Sequence, residues 1–216
     1  RVSERNKVGT IYLTFDDGPQ WGTTDKILDI LKEEGVEATF FVTNGGPDYL
    51  IKRMYDEGHT VALHTASHNY QTVYSSVEAY YNDLYSVQER VKRITGHESK
   101  IIRFPGGSSN TISRNYNKGI MSYLTIEVVN RGYTYYDWNV DSNDAGSDIY
   151  NSNNIYYNVV NNLSHSKTNI VLMHDSAGHG ATADALRNII RFGKEYGYAF
   201  KTITNDTPVV AHPVNN

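Results

Sequence analysis

Cysteine is absent altogether. No disulfide and no thiolate metal site is therefore possible, and the lack of Cys suits a secreted bacterial protein. No apolar run approaches the roughly 20 residues that a membrane-spanning helix needs. Neither sign of charge prevails: 20 Lys and Arg stand against 24 Asp and Glu, with a net charge of −4 and a pI near 6.1. That balance leaves no electrostatic footprint for nucleic acid or an anionic membrane surface. The chain opens at Arg1 with neither a methionine nor a signal-like apolar run, which reads as a piece cut from a longer precursor.

What is present is an ordinary globular composition. The 216 residues are 39% hydrophobic and 20% charged, enough to build one domain spanning 1–216 around a sizeable core. The 18 tyrosines and two tryptophans are a high aromatic load for so polar a chain. Some tyrosines could stack on sugar rings. The simpler reading is that Tyr replaces Phe on a wet surface.

One pattern recurs along the chain. A helix-like stretch ends at a glycine and an apolar strand-like run follows: KILDILKEEG then ATFFV, YLIKRMYDEG then TVALH, DLYSVQERVKRITG then KIIRF, TIEVVNRG then YTYYDWNV, NIIRFGKEYG then YAFKTI. Glycine adopts the left-handed conformation that ends a helix at little cost, and Lys or Arg in the last turn suits the helix dipole. TIYLTF at 10–15 and NIVLM at 169–173 add two strands, the second after a helix expected around 153–164. About seven strands alternating with helices predict α/β architecture with a parallel sheet, open or closed into a barrel. The stretch DSNDAGSDIYNSN at 141–153 reads as a long polar loop.

The ionisable residues gather where strands end. Asp16 and Asp17 follow TIYLTF, His64 follows TVAL with His68 four residues on, and Arg103 lies in KIIRF. Asp141 and Asp144 follow YTYYDWNV, and His174 and Asp175 follow NIVLM. In parallel α/β folds the C-terminal strand ends share one side, and active sites form there. His64 and His68 on one helical turn would face one ion. Alone, HxxxH is weak evidence, and Asp-Asp-Gly-Pro alone could be a turn. Two adjacent acids at one rim, however, repel unless a cation or proton separates them. One Asp and two His make a triad for zinc or another first-row metal, with positions left open. The second Asp could then act as general base, with Arg103 paired to it. Pro105-Gly106-Gly107 leaves backbone that can approach a substrate, and an N–H there could serve an oxyanion. His174 stands where a proton donor to the leaving group belongs. His179 reads as a loop or helix-entry residue outside the site.

Together these motifs resemble the NodB-type polysaccharide deacetylases, carbohydrate esterase family 4, over about residues 10–205. TFDDGP at 14–19, HTASH at 64–68, RFPGG at 103–107 and LMHD at 172–175 carry the likeness. The resemblance implies a distorted (β/α) barrel of seven or eight parallel strands. It implies Asp16 as catalytic base, Asp17, His64 and His68 as metal ligands, and Arg103 orienting the base. It further implies the Gly106 N–H polarising the acetyl carbonyl beside Pro105, Leu172 against the acetyl methyl, and His174 as general acid tuned by Asp144. The fourth motif departs: Asp141-Ser-Asn-Asp144 supplies the acids, but Ala145 stands where the family has tryptophan. Trp138 could fill that space, and an alternative register would use Asp137.

The expected cofactor is a divalent ion, zinc first, with cobalt or another first-row metal as substitutes. The expected substrate is N-acetylglucosamine in peptidoglycan, with acetyl xylan or chitooligosaccharide as alternatives. A secreted or cell-wall-associated monomer of bacterial origin fits this role. A glycosidase using Asp16 and Asp17 as its acid pair is disfavoured, because adjacent side chains on an extended segment point to opposite faces. A glycan-binding module with a dead site is disfavoured because every proposed metal and proton-transfer residue is present.

Overall fold

Strand β1, Thr10–Asp16, sets the frame because its two faces are sorted by period-two alternation. Ile11, Leu13 and Phe15 join the large outer core, whereas Tyr12 joins a smaller inner cluster with Phe41, Ala62, Ile101, Tyr136, Ile170 and Ile203. Inward parity therefore belongs to residues 12, 14 and 16 of this strand. A computed structural model describes residues 8–216, and the architecture below concerns those residues.

The remaining strands are β2 Thr39–Val42, β3 Thr60–Leu63, β4 Ile101–Ile102, β5 Thr134–Tyr135, β6 Val140–Asp141, β7 Thr168–His174 and β8 Ala199–Phe200. All pairings are parallel, in the order β5-β4-β3-β2-β1-β7-β6, with β8 added beside the start of β1. Helices α1 Thr24–Glu34, α2 Asp48–Asp56, α3 Tyr70–Tyr74, α4 Val77–Thr95, α5 Ile120–Asn130, α6 Ser152–Val160 and α7 Gly180–Glu195 connect them. In α1 the buried residues Thr24, Ile27, Leu28 and Leu31 fall at helical spacing, and Gly35 closes the helix at φ 66°. Gly96, at φ 72°, ends the 19-residue α4 in the same way. No described helix is long and apolar enough to cross a membrane.

The run YTYYDWNV does not form the one strand expected of it. It divides into β5 and β6, which lie at opposite edges of the sheet. Only residues 136–139 join them, and at roughly 3.3–3.6 Å per residue so short a link forces the two edges together. The sheet is thereby curled into an incompletely hydrogen-bonded barrel. The C-terminal segment covers the join: Asp137 N–H donates to the Val210 carbonyl (2.8 Å), and the Tyr136 hydroxyl donates to the Thr207 carbonyl (2.9 Å).

Candidate active site

The same inward parity that fills the barrel below delivers functional groups to its rim. Asp16 continues the series of Tyr12 and Thr14, and His64 continues Ala62. Arg103 follows Ile101, and Leu172 and His174 follow Ile170. Arg103 is fully buried and closes the floor. Its guanidinium donates to the carbonyls of Tyr136 (2.9 Å) and Asp137 (3.0 Å), to the Thr14 hydroxyl (2.7 Å) and to Asp16 Oδ1 (2.9 Å). It also lies over the Phe41 ring, 4.2 Å from the centroid. A fork saturated in this way can hold Asp16 in one orientation while leaving its second oxygen uncommitted.

Asp17, directly after the strand, turns away at φ 80°. Its Oδ1 lies 3.2 Å from His64 Nε2 and 3.2 Å from His68 Nε2. The helical spacing expected of HTASH is not how the imidazoles converge. Residues 64–69 contain no helix, and His68 itself has φ 48°, so a tight turn folds its ring back toward His64. His64 Nδ1 contacts the Arg103 carbonyl at 2.6 Å. A carbonyl only accepts, so Nδ1 carries a proton, and with an ion bound the ring would present its lone pair at Nε2. That lone pair faces Asp17 Oδ1, which is buried and has no hydrogen-bond donor. Acceptors converging without a donor between them are what a bound cation requires, so the donor set fits a divalent metal. Burial pushes the Asp17 carboxyl up, but the His64 contact and the charges of His64 and His68 outweigh it and hold it far below the carboxylate range. Burial likewise opposes protonation of His64, yet Asp16 and Asp17 raise it overall. In His68, burial and the neighbouring His64 prevail and lower it.

On the other side of the rim, His174 Nδ1 meets Asp144 Oδ1 at 2.7 Å, and the His174 backbone N–H donates to Asp144 Oδ2 at 2.8 Å. The Thr182 hydroxyl donates to the same Oδ2 at 2.7 Å. Burial disfavours the cation on His174, but the Asp144 hydrogen bond and charge win and raise it to about 9. Reciprocally, Asp144 is held low despite its own burial. The polar loop that carries Asp144 turns at Asn143, with φ 56°, and is tied to helix α6, where Asn158 Nδ2 donates to the Ser142 carbonyl and to Asp148.

Asp137 is engaged elsewhere. It accepts from the Ser108 amide (2.9 Å), the Ser108 hydroxyl and the His212 amide (2.8 Å), tying the 105–110 loop to the C-terminal segment. Trp138 does not stand in for the missing tryptophan beside the exposed Ala145. A Cβ on Gly107 would come within 2.7 Å of its ring, which also sits against His212 and 5.6 Å from the Arg103 guanidinium carbon. It thus walls the Arg103 side. Gly106 has φ 78°, and its amide donates to no described protein acceptor. The Tyr74 hydroxyl fixes the Pro105 carbonyl at 2.6 Å.

Three residues near the site had no role assigned from the sequence, which placed His179, at the entry of α7, outside the site that it in fact adjoins. Thr182 clamps Asp144, and Asp175 accepts from the Gly18 amide (3.0 Å) and the Thr24 hydroxyl (2.8 Å), bracing the Asp17 turn. Burial raises Asp175 to about 7. His179 is buried beside His174 and Asp144. Their contacts are tertiary, and only the position of Asp175 directly after His174 was a sequence cue.

A family model described as polysaccharide deacetylase matches residues 3–122. A putative polysaccharide deacetylase of Bacillus subtilis, YheN, is 32% identical over 213 residues, covering 94% of this chain and 70% of the relative. A peptidoglycan-N-acetylglucosamine deacetylase of Bacillus cereus is 34% identical over 201 residues, 88% of this chain and 67% of its own. Among solved structures, the catalytic domain of peptidoglycan N-acetylglucosamine deacetylase from Eubacterium rectale superposes with a TM-score of 0.92 at 42% identity, over 98% of this chain and 96% of that one.

Proposed function

The chain belongs to the polysaccharide deacetylase family, and from that premise we propose that it removes N-acetyl groups from N-acetylglucosamine in peptidoglycan, as a single catalytic domain at the cell wall. The observation that carries this reading is the convergence of Asp17, His64 and His68, flanked by two charge pairs, Asp16–Arg103 and Asp144–His174. The names of the similar Bacillus cereus and Eubacterium rectale proteins support the choice of substrate.

Asp17, His64 and His68 would hold a divalent ion, with zinc suited to one carboxylate and two imidazoles. Such an ion supplies a Lewis acid for the acetyl carbonyl and makes water a better nucleophile near neutrality. The chain's own residues do the rest. Arg103 occupies Asp16 Oδ1, so the other carboxylate oxygen takes the proton of the attacking water. The Gly106 N–H donates to the carbonyl oxygen as negative charge develops there. Pro105 and Leu172 border the acetyl methyl. His174, its Nδ1 proton held by Asp144, delivers the Nε2 proton to the leaving nitrogen, which departs poorly as an unprotonated amine.

The test is acetate release from peptidoglycan, chitooligosaccharide and acetyl xylan side by side, with chelator and with zinc or cobalt restored. The expected outcome is fastest release from peptidoglycan, abolished by chelator and recovered with metal. Preference for acetyl xylan would replace the substrate, and indifference to chelation would overturn the mechanism.

A further inference from the structure

His179 is 6% exposed at the entry of α7, and the turn 175–179 folds its ring back over His174. The two ring centroids are 5.1 Å apart with planes inclined by 22°. His179 Nδ1 lies 3.7 Å from Asp144 Oδ2, too far for a hydrogen bond, and is buried without any partner. The reason lies in the carboxylate. Oδ2 already accepts from the His174 amide and the Thr182 hydroxyl, which fills its two in-plane lone-pair directions.

Asp144, His174 and His179 offer ligand atoms within 4.8 Å of one another, so a second metal is the first reading to weigh. The ring geometry speaks against it. Imidazole lone pairs lie in the ring plane, and two nearly parallel stacked rings cannot aim them at one point. In the Asp17 triad the rings are inclined by 51°. Moreover, His174 Nδ1 is already committed to Asp144 at 2.7 Å.

We propose that His179 is a positioning residue that fixes the plane of His174 by stacking, so that His174 Nε2 points at the leaving group. One hydrogen bond at Nδ1 fixes the His174 ring at one edge but leaves it free to tilt about that bond, and a flat neighbour on its face removes the freedom. Burial keeps His179 neutral, so the stack joins one cation to one neutral ring rather than two cations. This inference rests on the reading of His174 as general acid.

The experiment compares wild type, His174→Ala, His179→Ala and His179→Phe on an N-acetyl substrate and on an activated acetyl ester, with metal content measured for each. A good leaving group needs no proton, so loss of the acid is felt mainly on the amide. His174→Ala should lower amide turnover by about 10²–10⁴-fold, the usual range for a general acid, and spare the ester. His179→Ala should show the same selectivity at about 10-fold, since misaligned groups lose rate steeply. His179→Phe, which keeps a flat face but no nitrogen, should return amide turnover to within about 3-fold of wild type on the same scale. Every form should bind one metal per chain. No split in His174→Ala would remove the premise. A split there but none in His179→Ala would overturn the positioning role alone, as would His179→Phe being as impaired as His179→Ala. Two metals in wild type, one of them lost in His179→Ala, would make the cluster a metal site.

Discussion

Two clusters on the rim have the same composition, one Asp and two His, and opposite chemistry. In Asp17–His64–His68, acceptor atoms converge at 3.2 Å and the buried carboxylate oxygen has no donor. In Asp144–His174–His179, donors have already filled the carboxylate: the His174 ring, the His174 amide and the Thr182 hydroxyl. The first is short of a positive charge, which a bound metal ion would supply. The second carries its own on His174. Residue type therefore does not decide between the two roles proposed for them, metal site and proton donor. What separates them is which atoms backbone and side-chain donors have saturated beforehand, together with the inclination of the rings, 51° against 22°.

The largest effect should follow from His64→Ala. It removes a proposed ligand whose other nitrogen is anchored to the Arg103 carbonyl, so metal affinity should fall by more than the roughly 10–100-fold typical of outer-sphere changes. Metal analysis after dialysis checks this, and acetate release should disappear with the metal. Retained metal would mean that the two clusters are not distinct in kind.

Asp144→Asn sharpens the comparison from the other side. Metal content should remain, while turnover drops by about 10-fold, a part of what a general acid contributes. The basic limb of the activity profile should move from near 9 toward the ordinary histidine value of 6.5. The sign follows from linkage: His174 is raised in the folded state, so the pair stabilises fully below about pH 6.5, and that stability is lost as pH rises through about 9. Unfolding midpoints of chelated protein between pH 6 and pH 10 should decline in wild type and stay flatter in the variant.

Asp175→Asn is the milder probe beneath the Asp17 turn. The carboxyl is raised to about 7, so its ionised burial costs stability increasingly from about pH 4 upward and fully above pH 7. An amide oxygen can still accept from the Gly18 amide, and the amide nitrogen can donate to the Thr24 hydroxyl, which also reaches the Asp175 carbonyl. The variant should melt higher than wild type at pH 8 and no higher at pH 4. A lower melting temperature at pH 8 would show that the charge itself braces the turn.

The smallest effect is expected from Thr182→Val, which removes one of the donors that fill Asp144. A stability loss of about 1–2 kcal/mol and a small downward shift of the basic limb are expected, without change in metal content. A gain of a second metal in this variant would show that donor saturation is what excludes an ion from the second cluster.

The alternation of helix, glycine and strand, the acids and imidazoles at strand ends and the four motifs were legible because they are local. Period-two alternation puts Asp16, His64, Arg103 and His174 on one face wherever the strands pair in parallel, and a chain of 216 residues alternating in this way has few other ways to bury its apolar strands. The rest depended on distance in three dimensions. The split of 133–141 into two edge strands follows from barrel closure, which no window of sequence contains. The two turns that bring Asp17 and His68 together use positive φ at these two non-glycine residues, a conformation uncommon outside glycine, and they are held by surrounding contacts. Asp137 and Asp144 were both candidates to hold His174, and the choice between them was made by the Ser108 and His212 amides taking one and the His174 amide taking the other. Sequence alone determined which chemical groups reach the rim. Tertiary structure decided which of their atoms remain unsatisfied, because saturation by remote backbone and side-chain donors is a property of packing and not of spacing along the chain.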